Sequence, residues 1–409
     1  MAEPGDTRTR IIEAAHERVA ADGVARTTIE SVAQHAGLSR ATIYRWFPGG
    51  RDELAAAVVS WEVGRFFEQL QAATAGATGF ADWMAQRLRA ARRLLDEHEV
   101  LQDALEQEAD QVVPPLVSVM PIVLGMLRVE LAERLEGEVL RPGVDRGEAA
   151  DLLARLMLSF MGTAGCWSLD DPGEAERLVR EQLLAGVLEP YDRELPVDTE
   201  TDLCDCLGVG VAAHEWTEQY LSADEVERRL VAAALRCVAR WGFAKTTVDD
   251  IAREAGVSRA TAYRAFPGGK DRLVETVVHH EIGRLFHEAE TEAAAAGSLE
   301  DLLCTGIRLA MRMLTQHEVL HYVLTHEPEA VLPHFAFHRL DALLAYAAEL
   351  SRPHLTRFLP DERVRPAAEL VARIVLTYSF DPSDRVDPRD PDSIRRLVQT
   401  YLLPAMTSP

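Results

Sequence analysis

Two nine-residue stretches carry the side chains best suited to grip an anionic polymer: Ser39-Arg40-Ala41-Thr42-Ile43-Tyr44-Arg45-Trp46-Phe47 and Ser258-Arg259-Ala260-Thr261-Ala262-Tyr263-Arg264-Ala265-Phe266. Neither contains an acid. Ile43 and Phe47 are four apart, the spacing of one helix face, so they turn inward and leave Arg40, Thr42, Tyr44, Arg45 and Trp46 outside. Arg259, Thr261, Tyr263 and Arg264 are offered in the same way by the second stretch. Arginine can bridge the two acceptors of guanine, threonine can meet a thymine methyl or a phosphate, and a tyrosine hydroxyl commonly holds a phosphate. After a Pro-Gly-Gly turn, Arg51 and Lys270 open the next helix, where free backbone NH groups and the dipole favour an anion.

A second constellation is His317-Glu318-Val319-Leu320-His321, a formal match to the zinc-hydrolase motif in which two imidazoles on one helix face bind metal and the glutamate acts as base. The corresponding stretch earlier in the chain reads His98-Glu99-Val100-Leu101-Gln102, without the second ligand. The expectation is therefore no catalysis, no metal and no cofactor. A metal-dependent hydrolase at His317, Glu318 and His321 is the alternative. His334 and His338, also four apart, leave room for adventitious metal binding.

The elements that must position the basic stretches can be read from periodicity. Ile11, Ile12, Ala15 and Val19 form an apolar helical face over residues 8–22, repeated by Leu230, Val231, Ala234 and Val238. Gly23 and Gly242 stand where a helix carboxy cap belongs. Thr27-Thr28-Ile29-Glu30 has the spacing of a capping box starting at Thr27, with Asp249 replacing the glutamate in the second case. A second helix runs from there to Ala36-Gly37, and Ser39 starts a third almost at once. Two short helices joined by a glycine-containing turn outline a helix-turn-helix, the second helix being the reader. Ser39, Ser258, Thr28 and Thr247, at the helix starts, join the expected DNA contacts.

These modules belong to an internal repeat at an offset of 219 residues: 26 of 53 positions are identical between 7–59 and 226–278. The offset persists at His98–Leu101 against His317–Leu320 and at Arg177–Val179 against Arg396–Val398. The expected domains are 1–60 and 225–279 for the modules, 61–190 and 280–409 for longer helical regions, and 191–224 as a linker. Apolar helical stretches such as Leu152 to Phe160 and Leu370 to Tyr378 fill the longer regions. Met120, Met126, Met157, Met161 and Trp167 fit either a core or a flexible ligand cavity.

Composition limits the classes available. With 409 residues, 47% hydrophobic and 27% charged, the chain is a multidomain globular protein with no apolar run of the roughly 20 residues a membrane span needs. Five scattered cysteines, Cys204 and Cys206 among them, fit reduced thiols, and the polar start MAEPGDTRTR lacks a secretory pattern, so the expected compartment is the cytoplasm. The net charge of −23 hides an uneven distribution: residues 7–59 hold seven Arg against six acids, and 226–278 hold ten Lys and Arg against six. Acid is concentrated away from the two modules, as a chain presenting selected faces to DNA requires.

Both modules resemble the DNA-binding region of the TetR family of bacterial transcriptional regulators. The resemblance rests on the Thr-Thr start, Ala-Gly-(Leu or Val)-Ser, Thr-x-Tyr-Arg-x-Phe, and the basic residue followed three later by Leu54 or Leu273. It implies an all-α fold, three helices for DNA and about six more for effector binding and dimerisation, in each of two tandem copies. It further implies a small-molecule effector and a repressor working as a two-fold dimer. Both subunits would then lie in one chain, because the 34 residues of 191–224 could extend to roughly 110 Å. Differences between the copies, such as Trp46 against Ala265, Ile43 against Ala262, and Gln34-His35 against Arg253-Glu254, lead one to expect an imperfectly palindromic operator. A ligand-binding or scaffold protein with one active reader is the other alternative.

Overall fold

The computed structural model describes residues 4–189, 220–242, 245–267, 269–316, 338–380, 383, 385–387 and 390–407. Every regular element among them is helical, apart from an isolated antiparallel bridge between Leu140 and Leu188. The chain divides into two units, residues 1–130 and 131–409.

In the first unit, α1 (Pro4–Asp22), α2 (Ile29–His35) and α3 (Arg40–Trp46) precede the longer α4 (Arg51–Ala73), α5 (Phe80–Asp96), α6 (Glu99–Gln107) and α7 (Ala109–Arg134), the division between units falling within α7. Ile11, Ile12 and Ala15 of α1, Val32 and Ala33 of α2, Ile43 of α3, Phe47 and Leu54 form one buried cluster. Complete burial of a large apolar side chain contributes about 1.5–3 kcal/mol, so these contacts fix α2 and α3, each of 7 residues and too short to persist alone, against α1. Gly23 sits at φ 83, the left-handed conformation its place after α1 requires.

The helix α6 is held to the module at both ends. Its cap His98 accepts from the Leu101 amide at 3.1 Å through Nδ1, while Nε2 lies 3.6 Å from Glu62 on α4. Glu62 also meets His16 of α1 at 2.9 Å. At the other end Glu108 accepts from the Val24 and Ala25 amides, at 2.6 and 3.1 Å, in the turn after α1.

In the second unit, α8 (Arg146–Gly162) and α9 (Pro172–Leu178) complete copy one. The wider turn Val179–Leu184 continues α9. Copy two follows with α10 (Glu225–Trp241), α11 (Val248–Ala255), α12 (Arg259–Ala265), α13 (Gly269–Ala294), α14 (Leu299–Gln316), α15 (His338–Leu355), α16 (Asp361–Phe380), α17 (Pro391–Leu397) and α18 (Leu403–Thr407). Its module repeats the first: Leu230, Cys237, Ile251, Ala262 and Phe266 form the cluster. Residues 190–219, which hold most of the expected linker and both Cys204 and Cys206, lie outside the described residues. From Tyr220 the chain is described again, its ring 4.9 Å from that of His280 on α13.

The helices α8 and α16 meet through equivalent, reciprocal contacts. Here the repeat runs at an offset of 218, setting Asp151-x-x-x-Arg155 against Glu369-x-x-x-Arg373 and Ser159-Phe160 against Thr377-Tyr378. Arg155 donates to the Thr377 carbonyl at 3.1 Å and stacks 4.7 Å from the centre of the Tyr378 ring. Arg373 returns the arrangement, donating to Ser159 Oγ at 3.0 Å and to the Thr163 carbonyl at 2.9 Å, with its guanidinium 3.9 Å from the Phe160 ring centre. Asp151 accepts from Arg155 and from Ser383, and Glu369 accepts from Arg365 and from the Cys166 amide. Nearby, Gly186 comes so close to Tyr401 that a Cβ would stand 2.1 Å from the Tyr401 carbonyl oxygen.

The methionine set divides between surface and core. Met157, Met161 and Trp167 are buried, whereas Met120 and Met126 are 40% and 45% exposed on α7. These two thioethers, six residues apart on α7, are surface side chains and not part of the buried core.

Candidate nucleic-acid interface

Each reader helix is anchored by its apolar residues and capped by its own first serine. Ser39 Oγ accepts from the Thr42 amide at 3.1 Å and lies 2.9 Å from Thr42 Oγ1. Ser258 and Thr261 repeat this at 3.1 and 2.8 Å. Ile43 and Phe47, and Ala262 and Phe266, are buried beneath. With that face fixed, Arg40, Tyr44 and Arg45 are exposed in copy one and Arg259, Tyr263 and Arg264 in copy two. Thr42, Thr261 and Trp46 are half-buried, and Trp46 packs partly against the module's own core. The turn before each reader rests on Gly37 at φ 63 or Gly256 at φ 64, a region where side chains with a Cβ are strained.

The first reader arginine of each copy has a partner that spacing alone does not suggest. Arg40 Nη1 lies 2.9 Å from Glu30 on α2, and Arg259 Nε lies 2.9 Å from Asp249 on α11. Such solvated pairs contribute about 0–1 kcal/mol, so a phosphate or a guanine edge can replace the carboxylate at little cost. The retained acid at both equivalent positions is the sequence signal for this pairing.

The acid at those positions is therefore not the capping residue. The cap of α2 is Thr28, not Thr27, and its partner is Ser31: Thr28 Oγ1 accepts from the Ser31 amide at 3.1 Å while the Thr28 amide donates to Ser31 Oγ at 3.0 Å. Thr247 pairs with Asp250 in the same register. Thr27 turns inward instead and donates to the Gly23 carbonyl at 2.8 Å. Thr28 remains exposed beside the reader.

At the start of α4 the expected anion site meets competition from the chain itself. Arg51 is exposed and donates to the Val24 carbonyl at 2.7 Å, while Glu53 accepts from the Gly49 amide at 2.7 Å just ahead of the helix. In copy two, Lys270 falls in the first turn of α13.

Among the described residues no group of three or more His, Cys, Asp or Glu is placed to hold a metal ion. His317, Glu318, His321 and His334 lie outside those residues. No described helix is long and apolar enough to cross a membrane.

Two copies of a capped helix pair with a glycine turn, each exposing arginine and tyrosine on an acid-free second helix, define the class: the chain carries two helix-turn-helix modules. Residues 11–58 and 230–277 match the profile described as bacterial regulatory proteins, tetR family. The chain thus carries, twice in tandem, a segment that matches the amino-terminal domain of the tetR family. It is similar to the HTH-type transcriptional regulator BetI of Brucella suis biovar 1 (strain 1330), with 42% identity over 71 residues, 17% of this chain and 35% of the relative. The BetI of Rhizobium meliloti (strain 1021) is 34% identical over 85 residues, 21% of this chain and 41% of the relative. The chain thus spans about a third of the length of the first of these curated relatives. Among solved structures, the TetR family repressor AlkX from Dietzia sp. aligns with 44% of this chain and 98% of its own, at 21% identity and a TM-score of 0.37. The R. erythropolis transcriptional repressor QsdR aligns with 46% of this chain and 100% of its own, at 19% identity and a TM-score of 0.33.

Proposed function

We propose that the chain is a DNA-binding transcriptional regulator, a repressor released by a small-molecule effector, acting in the cytoplasm. It would meet an imperfectly palindromic operator as a single-chain pseudo-dimer. The observation that carries the reading is the pair of anchored reader helices with Arg40, Tyr44 and Arg45, and Arg259, Tyr263 and Arg264, exposed. In these roles Ser39, Thr42, Trp46, Thr28 and Arg51, with Ser258, Thr261, Thr247 and Lys270, flank the arginines as phosphate and base contacts. Reciprocal contacts between α8 of copy one and α16 of copy two support pairing within the chain, since mutual exchange of equivalent contacts is the mark of a two-fold interface.

The helix α6, held between Glu62 and the turn after α1, offers a route by which a ligand in the carboxy-terminal region could bias the reader's position. An effector acts in this way only by binding one arrangement better than another.

The test is a mobility-shift titration of the full chain against duplexes from the DNA flanking its own gene. Arg40→Ala with Tyr44→Ala, and separately Arg259→Ala with Tyr263→Ala, should each weaken binding at least tenfold, a loss of about 1.4 kcal/mol. Unchanged affinity in one double variant would reduce the protein to a single active reader. A flat titration at low salt with the wild-type chain would remove DNA from the reading altogether.

A further inference from the structure

Copy two has a basic groove beside its helix-turn-helix. Arg240 and Trp241 from the end of α10, Lys245 from the connection, and Asp250 and Arg253 from α11 line an open groove of about 560 Å³. Its single carboxylate is already engaged: Asp250 Oδ2 accepts from Thr247 Oγ1 at 2.5 Å and Oδ1 from Arg253 at 3.1 Å. Arg240 and Lys245 form no salt bridge within 4 Å among the described residues, and Arg240 lies 5.7 Å from the centre of the 40%-exposed Trp241 ring. On the same helix as Arg240, Arg236 occupies Glu254 at 2.8 Å, removing another acid from this flank. Two hydrogen bonds join Asp250 of the groove to Thr247, which caps α11, the helix that precedes the reader.

At the equivalent positions copy one has Ala21, Asp22, Arg26, Ser31 and Gln34. Asp22 there is paired with Arg18, and Arg26 donates to the Asp22 carbonyl at 2.6 Å. The readers are nearly alike in the two copies, so the charge has been added beside one reader and not the other. Cations spaced along a groove that borders a helix-turn-helix suit a run of phosphates, whose contacts are independent of sequence.

We propose that Arg240, Lys245 and Arg253 form a duplex-phosphate contact outside the reader helix, so that the copy-two end of the bound DNA is held over a longer stretch of backbone than the copy-one end. This rests on the regulator reading above, and the experiment separates the two. The full chain is used to select a duplex from a random-sequence pool. Its affinity is then measured across a NaCl series for wild type and for Arg240→Gln/Lys245→Gln/Arg253→Gln. Each lost phosphate contact lowers the slope of log K against log salt by about 0.9, so the triple variant should lose about 2 to 3 from the slope while keeping the wild-type sequence preference. Hydroxyl-radical protection should shorten at one end of the duplex only. The reverse variant, Ala21→Arg/Gln34→Arg, should steepen the slope by up to about 2 and lengthen protection at the other end. All the substituted side chains are on the surface, and thermal melts by circular dichroism that superimpose on the wild type would establish that the fold is retained.

An unchanged slope and footprint with sequence-selective binding intact would overturn the groove and leave the regulator standing. A slope that falls while protection stays the same at both ends would also overturn it, because the charge would then act as a general field and not as a contact. Failure of the wild-type chain to select any duplex at low salt would remove both.

Discussion

Replacing Arg373 by alanine tests whether the reciprocal arginines hold α8 against α16. Its side chain is fully buried, and Glu369 beside it is only 2% exposed. Truncation removes charge-assisted hydrogen bonds to Ser159 and to the Thr163 carbonyl, 3.0 and 2.9 Å long, together with the guanidinium stacked on Phe160. Bonds of this type contribute about 1.5–3 kcal/mol each, and breaking a buried ionic set costs about 3–5 kcal/mol when a charge is left uncompensated. Glu369 is not abandoned here, because Arg365 at 3.2 Å and the Cys166 amide at 2.9 Å still reach it. The recovered solvation of the lost cation offsets part of the rest, which places the expected loss near the lower bound, about 3 kcal/mol.

Hydrogen exchange of the α8 and α16 amides reads this locally. A loss of about 3 kcal/mol corresponds to protection lower by roughly a hundredfold. Arg155→Ala should act on the same amides, and the two substitutions together should depart from additivity by more than about 0.5 kcal/mol, since both side chains bridge the same helices. A change below about 0.5 kcal/mol for Arg373→Ala, the scale of an ordinary surface substitution, would refute the reasoning and leave apolar packing alone to join the helices.

The capping register and the Glu62 cluster give two further expectations. Thr28→Ala should lower the stability of the first unit by about 1 kcal/mol in urea unfolding, while Glu30→Ala stays within about 0.5 kcal/mol; the opposite order would restore a box starting at Thr27. Hydrogen bonds from His16 and His98 hold the Glu62 carboxyl down to about 2, and the same contact raises His98 above its ordinary value of 6.5. For Glu62, the folded pKa lies below the unfolded one, so its stabilisation is present above about 4.5 and is lost as pH falls toward 2. For His98 the sign is opposite: its stabilisation is full below 6.5 and fades as pH rises through the elevated folded pKa. Urea midpoints measured against pH should therefore show an alkaline decline that His98→Asn flattens, and a persistent decline in that variant would locate its origin elsewhere.

Local signals made the modules legible. Glycines where helices end, serines where they begin and the Ile43–Phe47 spacing act within a few residues, and each does in space what its chemistry dictates. The Thr-Thr start was less decisive, because two adjacent hydroxyls compete for one cap. Burial settles the contest: Thr27 is 8% exposed and satisfies the Gly23 carbonyl, which leaves Thr28 to the helix. The methionines were ambiguous for another reason. A thioether is compatible with core and surface alike, and only the neighbours of α7 and α8 decide between them. The reciprocal arginines were hidden altogether, since the repeat slips from an offset of 219 to 218 before α8 and α16, and a rigid comparison sets Arg155 against Ile374.

That slip bears on what fusion does to an interface. In a dimer of identical chains, residue i on one side must equal residue i on the other, so any improvement has to suit both positions at once. Joined in one chain, the two sides are free to differ, and here they do: Phe160 lies under Arg373 where Tyr378 lies under Arg155, and Gly186 admits the Tyr401 backbone at a place where copy two has Ala405. A second chain offering α8 to α8 would bring Gly186 opposite Gln182 in place of Tyr401, losing the fit that the glycine permits. The tether adds a local concentration on the order of millimolar for the matched partner. Divergence and tethering therefore favour the same pairing, and the asymmetry extends to the groove beside the second reader, where cations can accumulate without being duplicated at the first.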